Sequence, residues 1–516
     1  MRGSIEPPTD MDLLLLICVA IGIIITRALV SFHRSITSPL KDIPGPWQAR
    51  FSKLWFFDNV RKGNFEEVNI RLHRKHGNMV RVAPDHYSID DPKAIKQIYG
   101  IGSKFPKSEC PSPERWALFS DRNMARHAET RKRFQNLYSM TSLVSYETFV
   151  DDCADVFSQR LTEIAQSGKS INMGHWFQCY AFDVIACLTY SRRFGFLDLG
   201  EDIDGTIAAL NRTMRYSTLV GIYASLHPIL FYLTSKLPNS GAQGRLYLMD
   251  FVQKQIDARK SERKSGDMER TRASARQQDA ESESEVPEDF LDKIMNAHEQ
   301  DREKVTQYHI FMMGLSNIIA GSDTTAVSLS AILYHLLHNP GTMQKLRDEM
   351  MMAEKEGKCG MPEVRFRESQ ELPYLQAVIK EALRMHPATG LPLWRVVPAP
   401  GVEIAGRFFP AGTNIGVNTW VAHNNPAIFP QPEHFRPERW LESDEARLKK
   451  MEAYWMPFGL GSRTCLGRHI SLLEIGKVIP RLVRGFDFEL VEGKKWETMN
   501  HWFVKPTNFE VRVKVV

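Results

Sequence analysis

The residues best suited to chemistry lie in one short segment, "MPFGLGSRTCLGRHI", which begins at residue 456. Its glycines, Gly459, Gly461 and Gly467, permit positive φ angles and a close approach of the backbone to a flat ligand. Cys465 stands just before a run with helical periodicity, where unpaired N–H groups at a helix start favour a thiolate. Arg463 supplies a cation suited to a carboxylate. The segment therefore suits a soft or borderline metal held by one sulfur.

The residues around Cys465 narrow the kind of metal group. A structural zinc site needs about four protein ligands, and His469 is the only other Cys or His at ligand spacing in the segment. A haem needs only one protein ligand on one face. The ordinary alternative is a buried structural cysteine, since free cysteine is among the most buried residue types.

Five positions of the segment match the F-x-x-G-x-R-x-C-x-G signature of the cytochrome P-450 family, the haem-thiolate monooxygenases: Phe458, Gly461, Arg463, Cys465 and Gly467. The chain resembles that family, and the resemblance implies that Cys465 is the axial ligand to the iron of haem b. It also implies that Arg463 pairs with a haem propionate and that Phe458 and Gly459 lie against the cofactor. Thiolate donation to iron favours cleavage of the O–O bond.

A second chemical cluster lies in the middle of an apolar helical stretch, residues 314–337. Polar residues there have an ordinary explanation, because Ser and Thr hydroxyls bond the carbonyl four residues earlier and bend helices. In the functional alternative, Gly321 and Thr324 open a groove for O2, and Asp323 and Thr324 form an acid–alcohol pair that delivers protons. Ala320 and Thr324, four apart, share one face. The string matches the family's A-G-x-D-T motif, so the resemblance places Ala320 at the haem.

Glu381 and Arg384 are spaced i, i+3 on a predicted helix that ends at Pro387. Alone, such a pair is commonly exposed and contributes well under about 1 kcal/mol. In the family, the E-x-x-R pair is buried and is completed by an arginine from a P-E-R-F segment. Here "FRPERW" supplies Arg439, with Trp440 where phenylalanine is usual. The resemblance implies a structural triad of glutamate and two arginines that braces the haem side of the fold.

Three further residues are assigned to the cofactor through the resemblance. Arg395, in "PLWRVVP", stands where the family often has a second propionate ligand. In "ARHAETRKRF", His127 and Arg131 occupy the positions of the family's W-x-x-x-R helix, with histidine in place of tryptophan. We expect His127 to retain the hydrogen bond to a propionate.

The elements that must position these residues are mostly helical. From about residue 93 to 387, apolar residues recur at three- and four-residue spacing. Strands are predicted within residues 78–84, 86–92 and 508–516, and hairpins within 401–420. The predicted fold class is mostly α with a minor β region (α+β), and the resemblance implies the cytochrome P-450 fold, a helical bundle around a buried haem.

The N-terminal region predicts one transmembrane anchor helix. Residues 13–32 are almost wholly apolar, and about 20 helical residues span the hydrocarbon core of a bilayer. Acidic residues precede this run and basic residues follow it, so the positive-inside rule places the body in the cytosol and residues 1–12 in the lumen. A cleaved signal peptide is the alternative, but it requires a basic start and a small-residue cleavage site. We expect a single-pass protein of the endoplasmic reticulum membrane.

The chain beyond the anchor divides into a Pro-rich hinge at residues 33–47 and a haem-binding catalytic domain at residues 48–516. Prolines with a glycine cannot continue a helix, so the hinge is expected to be an extended spacer. Residues 258–289 are almost free of apolar side chains, and they are expected to form an exposed charged loop within the domain.

Net charge, cysteine content and the absence of cofactor motifs indicate which partners to expect. A net charge of +5 over 516 residues gives no reason to expect nucleic acid, and seven scattered cysteines without a CxxC pair argue against a disulfide framework. No flavin or nicotinamide fingerprint is present, so electrons are expected from NADPH through a separate NADPH–cytochrome P-450 reductase. Its acidic surface is expected to meet a basic face, although an ordinary charged surface is the alternative: Arg126, Arg131, Lys132, Arg133, Arg468, Lys449 and Lys450.

Several sequence segments, such as "SPLKDIPGPW" and "HWFQCYAFDVI", are similar to those of fungal secondary-metabolism members of the family, especially the pisatin-demethylase-like group. The expected function is insertion of one oxygen atom from O2 into a lipophilic small molecule by hydroxylation, demethylation or a related oxidation. The alternatives are a haem-thiolate isomerase or dehydratase that does not use O2, and a non-catalytic haem- or sterol-binding membrane protein. Substrate contacts are expected within residues 112–125, before Ala320 and within 389–393, and they include Phe119, Met313, Asn317 and Leu393.

Overall fold

The computed structural model describes residues 35–108, 117–265, 288–360 and 363–516, together with isolated positions between residues 18 and 33. The predicted lumenal segment at residues 1–12 lies outside the described residues. The predicted anchor at residues 13–32 lies outside them as well, except at those isolated positions. The predictions for these two segments therefore stay predictions.

Helices dominate the described part of the chain, as the periodicity predicts. Those before residue 300 are α1 Leu54–Lys62, α2 Phe65–His76, α3 Pro92–Tyr99, α4 Met124–Phe134, α5 Met140–Val144, α6 Glu147–Ser167, α7 Met173–Tyr190, α8 Phe196–Leu199, α9 Thr206–Val220, α10 His227–Thr234, α11 Gly241–Ser265 and α12 Phe290–Gln300. Those after it are α13 Gln307–His338, α14 Pro340–Lys355, α15 Phe366–Gln370, α16 Pro373–Met385, α17 Thr419–His423, α18 Glu445–Tyr454 and α19 Arg468–Gly485.

The strands form small sheets at the edges of the helical body. They are β1 Met79–Ala83, β2 His86–Ile89, β3 Ser170–Asn172, β4 Arg395–Val396, β5 Gly401–Ile404, β6 Arg407–Pro410, β7 Asn414–Gly416, β8 Phe486–Leu490, β9 Thr498–His501, β10 Phe503–Pro506 and β11 Glu510–Val515. One sheet has the order β1-β2-β7-β4, with β2 and β7 parallel, and another has the order β3-β11-β8. The pairs β5–β6 and β9–β10 are hairpins. The predicted fold class, mostly α with a minor β region, is confirmed.

Two long helices form the centre of the fold. Helix α13, 32 residues long, packs against α7, α16, α19 and strand β10. Helix α7 is buried along almost its whole length, as expected for a helix that is apolar on every side. Asn172 caps α7, since its side-chain oxygen accepts a hydrogen bond from the backbone N–H of His175 at 3.1 Å. The buried apolar residues of α7, α13, α16 and α19 belong to one continuous core.

The structure adds detail to two predicted segments. The predicted hinge at 33–47 is partly packed, because Leu40 and Ile43 are each 2% exposed, and the Arg81 guanidinium donates to the Leu40 carbonyl at 2.7 Å. The predicted exposed loop at 258–289 begins as helix, since α11 continues to Ser265. Residues 266–287 of that loop lie outside the described residues.

The described start and end of this loop are joined by a buried ion cluster. Arg259 is only 5% exposed, and its guanidinium contacts the carboxylates of Asp289 at 2.8 Å and Asp292 at 3.0 Å. These neighbours raise the pKa of the Arg259 guanidinium, so it stays charged. A segment with few apolar residues is thus anchored to the core by its charged ones.

Candidate functional site at the cysteine loop and the central helix

The cysteine loop connects α18 to α19 and folds back on itself. The backbone N–H of Cys465 donates to the carbonyl of Phe458 at 2.7 Å, and the Thr464 hydroxyl donates to the same oxygen at 3.2 Å. Gly459 and Gly461 have φ angles of 68° and 61°, so two of the three predicted left-handed positions are observed. Gly461 is also required by space, because a Cβ there would lie 2.0 Å from the carbonyl oxygen of Tyr99.

Gly467 differs from the prediction. Its φ is −82°, and a Cβ built on it meets no atom within 4 Å. It is the N-cap residue of α19, and glycine is acceptable at that position without being demanded. The protein's own packing therefore gives no reason for a glycine here.

The Cys465 side chain is exposed, although it lies where α19 begins and α4 and the loop meet. Backbone N–H groups of Gly467 and Arg468 point at the sulfur and lower the pKa of the thiol, as do the cations of Arg131 and Arg468. Although part of the side chain is exposed, the surrounding protein atoms keep bulk water from much of the sulfur, and this desolvation outweighs the favourable groups, so the net pKa of the thiol is raised. The helix-start environment predicted from the sequence is therefore present at this sulfur. A bound metal cation deprotonates a coordinating thiol outright.

A buried charge network lies behind the loop. The guanidinium of Arg384 makes a paired contact with the carboxylate of Glu381 at 3.0 Å and 2.9 Å, and the Nε of Arg439 donates to the same carboxylate at 2.9 Å. The three side chains are fully buried. The structure also adds a member that the sequence did not reveal, since the indole N–H of Trp440 donates to Glu381 at 2.9 Å.

This network reaches the cysteine loop through one histidine. The Nη1 of Arg384 donates to the carbonyl of His423 at 3.0 Å, and the imidazole Nδ1 of His423 lies 2.9 Å from the Arg384 carbonyl. The Nε2 of His423 accepts from the backbone N–H of Met456 at 2.9 Å. Burial and the adjacent Arg384 lower the pKa of His423 to about 3, so the ring is neutral and free to accept. The charge network thus fixes the first residue of the loop.

Three basic side chains gather beside the loop. The guanidinium of Arg463 has two buried nitrogens, Nη1 and Nη2, without a hydrogen-bond partner. Arg395 is 7% exposed, and its Nη1 donates to the Trp394 carbonyl at 2.9 Å. Burial and the charge of Arg395 lower the pKa of Arg463 to about 10. Burial and the charge of Arg463 lower the pKa of His127 to about 4. Like charges that are buried together are costly unless an anion accompanies them.

Arg131 holds α4 to the loop. Its Nη1 donates to the carbonyl of Thr464, the residue before the cysteine, at 2.8 Å. The aromatic ring of Phe458 meets Trp455 edge to face, with ring centroids 6.1 Å apart. The residues predicted around the cofactor on this side are therefore brought together, although Arg131 uses at least one donor on the protein backbone.

On the central helix α13, Ala320 is exposed although most of the helix is buried. The hydroxyl of Thr324 donates to the Ala320 carbonyl at 2.7 Å, which is the back-bonded arrangement that is the ordinary explanation for such residues. The predicted groove at Gly321 is not open on the α7 side. A Cβ at Gly321 would lie 2.9 Å from Cγ1 of Ile185, so this glycine lets α7 pack closely against α13.

Asp323 and Thr324 do not bond to each other. The Oδ1 of Asp323 accepts from the Nζ of Lys505 at 2.8 Å and from the side-chain amide of Gln178. Sequence reasoning missed both partners, because Lys505 is 182 residues away on β10 and no local pattern marks it. The Oδ2 of Asp323 is buried without a hydrogen-bond partner.

The residues predicted to contact substrate fall into two groups, one buried in the core and one exposed or partly buried. Asn317 points into the core, where its Oδ1 accepts from Tyr138 at 2.5 Å and its amide donates to Thr189 at 2.9 Å. Met313 is 2% exposed and also belongs to the core. Phe119 is exposed and stacks edge to face on Trp502 at 5.6 Å. Leu393 is partly buried. Residues 109–116, which include part of the predicted contact segment, lie outside the described residues.

Several residues of the predicted basic face have acidic or carbonyl partners within the chain. Arg126 makes a paired contact with the buried carboxylate of Asp121, at 2.7 Å for both oxygens. Arg133 pairs with Glu129, Lys449 pairs with Glu445 at 3.3 Å, and Lys450 donates to the Ala427 carbonyl at 2.9 Å. Lys132 and Arg468 are exposed.

The residues at this site fit an iron porphyrin. The orphaned nitrogens of Arg463, with Arg395 and a neutral His127 close by, match the charge and hydrogen-bonding needs of porphyrin carboxylates. The exposed sulfur of Cys465 at a helix start matches a single thiolate ligand. Helix α13 contributes the exposed Ala320 and the half-buried Thr324, which are small enough to leave room beside a flat ring.

Comparisons with known proteins identify the relatives of the chain. A family model described as Cytochrome P450 matches residues 44–513. The chain is 38% identical over 499 residues to a pisatin demethylase of Fusarium vanettenii, across 95% of this chain and 92% of that protein. It is 35% identical over 489 residues to a cytochrome P450 monooxygenase of Aspergillus terreus, across 91% and 94%. It is 33% identical over 515 residues to cytochrome P450 monooxygenase pkfB of Emericella nidulans, across 97% and 95%.

Proposed function

The chain belongs to the cytochrome P450 family, and on that premise we propose that it inserts one oxygen atom of O2 into a lipophilic small molecule in fungal secondary metabolism. The observation that carries this proposal is the exposed Cys465 sulfur and the orphaned guanidinium of Arg463 on one loop. The helix that follows this loop, α19, packs against α13, which holds Asp323 and Thr324. That set of groups suits a thiolate-ligated haem with an acid and an alcohol on its other side.

Haem b is the proposed cofactor. Cys465 would bind the iron, and Arg463, Arg395 and His127 would hold the propionates. When bound, the haem supplies the activation of O2, which is chemistry that no side chain can perform. Four further residues are proposed to contact the haem: Phe458, Gly459, Arg131 and Ala320.

The protein's own work at this site is to orient, to exclude water and to move protons. The core around α7, α13 and α19 excludes water from the interior. Thr324 offers a hydroxyl beside Ala320, and Asp323 offers the acid that renews the proton of that hydroxyl. An enzyme that inserts oxygen from O2 needs proton delivery of this kind. An isomerase that does not use O2 has no such need.

Electrons are proposed to come from NADPH through a separate reductase that docks at the cysteine face. Lys132 is exposed on α4, which contacts the loop through Arg131, and Arg468 is exposed at the start of α19, which follows the loop. Charge complementarity to an acidic flavoprotein surface would steer the encounter and make it salt-dependent. The other residues of the predicted basic face have partners within the chain and contribute less: Arg126, Arg131, Arg133, Lys449 and Lys450.

The protein is proposed to be single-pass in the endoplasmic reticulum membrane, with its catalytic domain in the cytosol. Residues 13–32 supply the proposed anchor. The described residues add an exposed apolar surface, since Trp47 is 69% exposed and Leu54 is 64% exposed. The helical run Ile203–Thr234 is long and apolar enough to cross a membrane, and 11% of its most apolar window is buried. Because this run also packs on the body through α9, we propose that it rests on the bilayer surface.

The proposal is tested by turnover of purified holoprotein with a fungal reductase, NADPH and isotopically labelled O2. A substrate is first sought by difference spectroscopy against a panel of polyketides, terpenoids and indoles. Pisatin is included because one relative is named for its demethylation. We expect NADPH-dependent product carrying one labelled oxygen atom, or a demethylated product with labelled oxygen in the released fragment. Product that forms without NADPH would favour an isomerase or dehydratase, and the absence of any turnover with bound ligands would favour a binding protein.

A further inference from the structure

A buried carboxyl joins helix α2 to the β9–β10 hairpin. Glu66 is the second residue of α2 and is 0% exposed. Its Oε2 accepts a hydrogen bond from the side-chain amide of Asn500, which lies on β9 and is also 0% exposed. The backbone N–H of Asn500 donates to the Gly63 carbonyl at 2.8 Å. These two bonds attach the hairpin to the chain where α2 begins.

Two oxygen atoms of this pair have no hydrogen-bond partner within the described part of the chain. They are Oε1 of Glu66 and Oδ1 of Asn500. Buried polar atoms without a partner are rare and call for an explanation. A protonated carboxyl has one O–H donor, so one proton on Oε1 would supply the bond that both atoms lack. The acid and the amide would then be joined by two hydrogen bonds, one in each direction.

The surroundings of Glu66 favour its neutral form. Burial raises the pKa of Glu66 to about 7, although the Asn500 amide favours the charged form. On α2, Glu67 and Arg71 act on that pKa in opposite senses, and their exposed side chains pair with each other at 3.4 Å. The other titratable side chains on α2's buried face and on the elements around this carboxyl either have partners of their own or are neutral because burial lowers their pKa: His73 on α2, Asp58, Arg61 and Lys62 on α1, Arg81 on β1, His423 on α17 and His501 on β9.

We propose that Glu66 is a neutral acid in the folded protein, that its Oε1 hydroxyl donates to Oδ1 of Asn500, and that this two-bond pair positions the turn between β9 and β10. The proton comes from water when the chain folds, and it returns to water when the pair opens. Loss of the proton leaves one hydrogen bond in place of two, and it leaves a charge that is buried without a paired cation. The hairpin is then attached less firmly to α2.

The turn that this pair would position lies against residues predicted to contact substrate. Trp502, at the turn, has a φ of 80°, and its ring meets that of Phe119 edge to face at 5.6 Å. The Trp502 carbonyl accepts from the backbone N–H of Gly390 at 3.0 Å. A Cβ at Gly390 would lie 2.2 Å from Nδ2 of Asn500, so the amide packs against the predicted contact segment 389–393. This consequence for substrate binding rests on the proposed function, whereas the pair itself does not.

A buried water molecule is the competing explanation, because one water can donate to both oxygens. Glu66 would then stay charged in the folded protein. Glu66→Gln separates the two explanations, since a glutamine amide donates to Oδ1 of Asn500 and accepts from its Nδ2 without a titratable proton. Glu66→Met removes both bonds. Glu67→Gln removes the exposed neighbouring carboxyl and is the matched control.

The first experiment measures thermal unfolding of the full-length holoprotein and its variants at about pH 5 and about pH 8. An acid whose pKa is raised on folding contributes stability that is present below its unfolded pKa and is lost as the pH rises through its folded pKa. For Glu66 that window runs from 4.5 to about 7. We therefore expect Glu66→Gln to unfold close to the wild type at the lower pH and several degrees above it at the higher pH. Glu66→Met should unfold below Glu66→Gln at both, and Glu67→Gln should follow the wild type.

The second experiment measures amide hydrogen exchange in peptides that cover residues 498–506, the β9–β10 hairpin. At the higher pH, these amides should exchange several-fold faster in the wild type than in Glu66→Gln, and at the lower pH the two proteins should match. Peptides that cover the β5–β6 hairpin, residues 401–410, should show no difference between the two proteins at either pH. Because each comparison is made at one pH, the intrinsic pH dependence of exchange cancels.

Three results would overturn the inference, and they are distinguishable. An unfolding difference between wild type and Glu66→Gln that is the same at both pH values would show that Glu66 keeps its charge and that water holds the pair. Equal unfolding of Glu66→Gln and Glu66→Met would show that the second bond does not form. A pH-dependent unfolding difference with unchanged exchange in the hairpin would show that the pair does not position the turn. Neither experiment uses turnover, so a failure of the proposed function would leave these results unchanged.

Discussion

The two sides of the proposed haem site are built in opposite ways. On the cysteine side, Glu381, Arg384 and Arg439 form a fully buried network whose hydrogen bonds continue through His423 to the first residue of the loop. On the α13 side, the Thr324 hydroxyl bonds only to its own helix, and one oxygen of Asp323 has no partner. One side is held by many mutual contacts, and the other keeps groups that are free to exchange partners.

On the proposed function, this difference matches what each side would have to do. A ligand sulfur must stay in one place, and a network of buried charges permits few alternative arrangements when every charge is paired. A proton donor must change partners, and a fully satisfied network would resist that change. The contrast predicts that substitutions on the cysteine side affect haem content and stability, whereas substitutions on the α13 side affect the fate of electrons.

The largest expected effect is the loss of Glu381. Glu381→Gln leaves two buried guanidinium groups without a counter-charge, and breaking a buried ion pair in this way costs about 3–5 kcal/mol. We expect little soluble protein and little haem per polypeptide, measured by the pyridine haemochrome assay. Glu452→Gln, which removes an exposed partner of Lys380, is the control and should behave as the wild type. Full haem content in the Glu381 variant would show that the network does not brace the loop.

Thr324→Ala tests the opposite side. The substitution removes a hydroxyl whose only intramolecular bond is to its own helix, so we expect haem content and unfolding temperature to stay close to the wild type. Reducing equivalents should instead leak as hydrogen peroxide, measured against NADPH consumed. Thr325→Ala removes a neighbouring hydroxyl that bonds Ser471 at 3.3 Å and provides the control. Coupled turnover without extra peroxide in the Thr324 variant would contradict the prediction that the α13 side controls the fate of electrons.

Arg463→Met should have effects of opposite sign in the two forms of the protein. In the apoprotein, the substitution removes a buried charge with two unpaired nitrogens, so we expect stabilisation by about 1–3 kcal/mol. In the holoprotein, it removes a propionate partner, so haem should dissociate faster. Thermal unfolding of the apoprotein and haem transfer to apomyoglobin measure the two effects. Arg463 would not be a propionate partner if haem transfer were unchanged.

Trp440→Phe introduces the residue that is usual in the family. It tests the buried network on the cysteine side with a smaller expected loss of stability than Glu381→Gln. The change removes one indole N–H from Glu381 and leaves the two arginines in place. We expect destabilisation of about 1 kcal/mol, seen in chemical unfolding, with normal haem content. An effect as large as that of Glu381→Gln would mean that the indole, and not the ion pairs, carries the network.

Much of the site was predictable because its motifs are local. The loop around Cys465, the pair of Glu381 and Arg384, and the polar centre of α13 are short strings in which spacing fixes geometry, and the helices follow from apolar periodicity. Arg439 was predictable only through the family resemblance, since nothing local joins it to Glu381 across 58 residues.

The features missed are long-range or depend on space. Lys505 meets Asp323 only because the β9–β10 hairpin folds onto α13, and Trp440 joins the triad only because a 3-10 turn at Pro437–Trp440 aims the indole inward. Gly321 was interpreted as opening a groove in the helix, and Gly467 as permitting a positive φ angle. The first instead admits Ile185 of α7, and the second is an ordinary N-cap. Which glycine serves packing and which serves φ depends on neighbours that a single sequence does not reveal.

The most direct test of the account is the carbon-monoxide difference spectrum of the reduced protein, taken for the wild type and for Cys465→Ser. With a thiolate bound to the iron, the wild type should show the Soret band at the wavelength that names the family, and the variant should lose that band even where it retains haem. Cys359→Ser, at a buried cysteine far from the loop in sequence, should keep it. A band that survives Cys465→Ser, or a folded wild type that takes up no haem, would contradict the account.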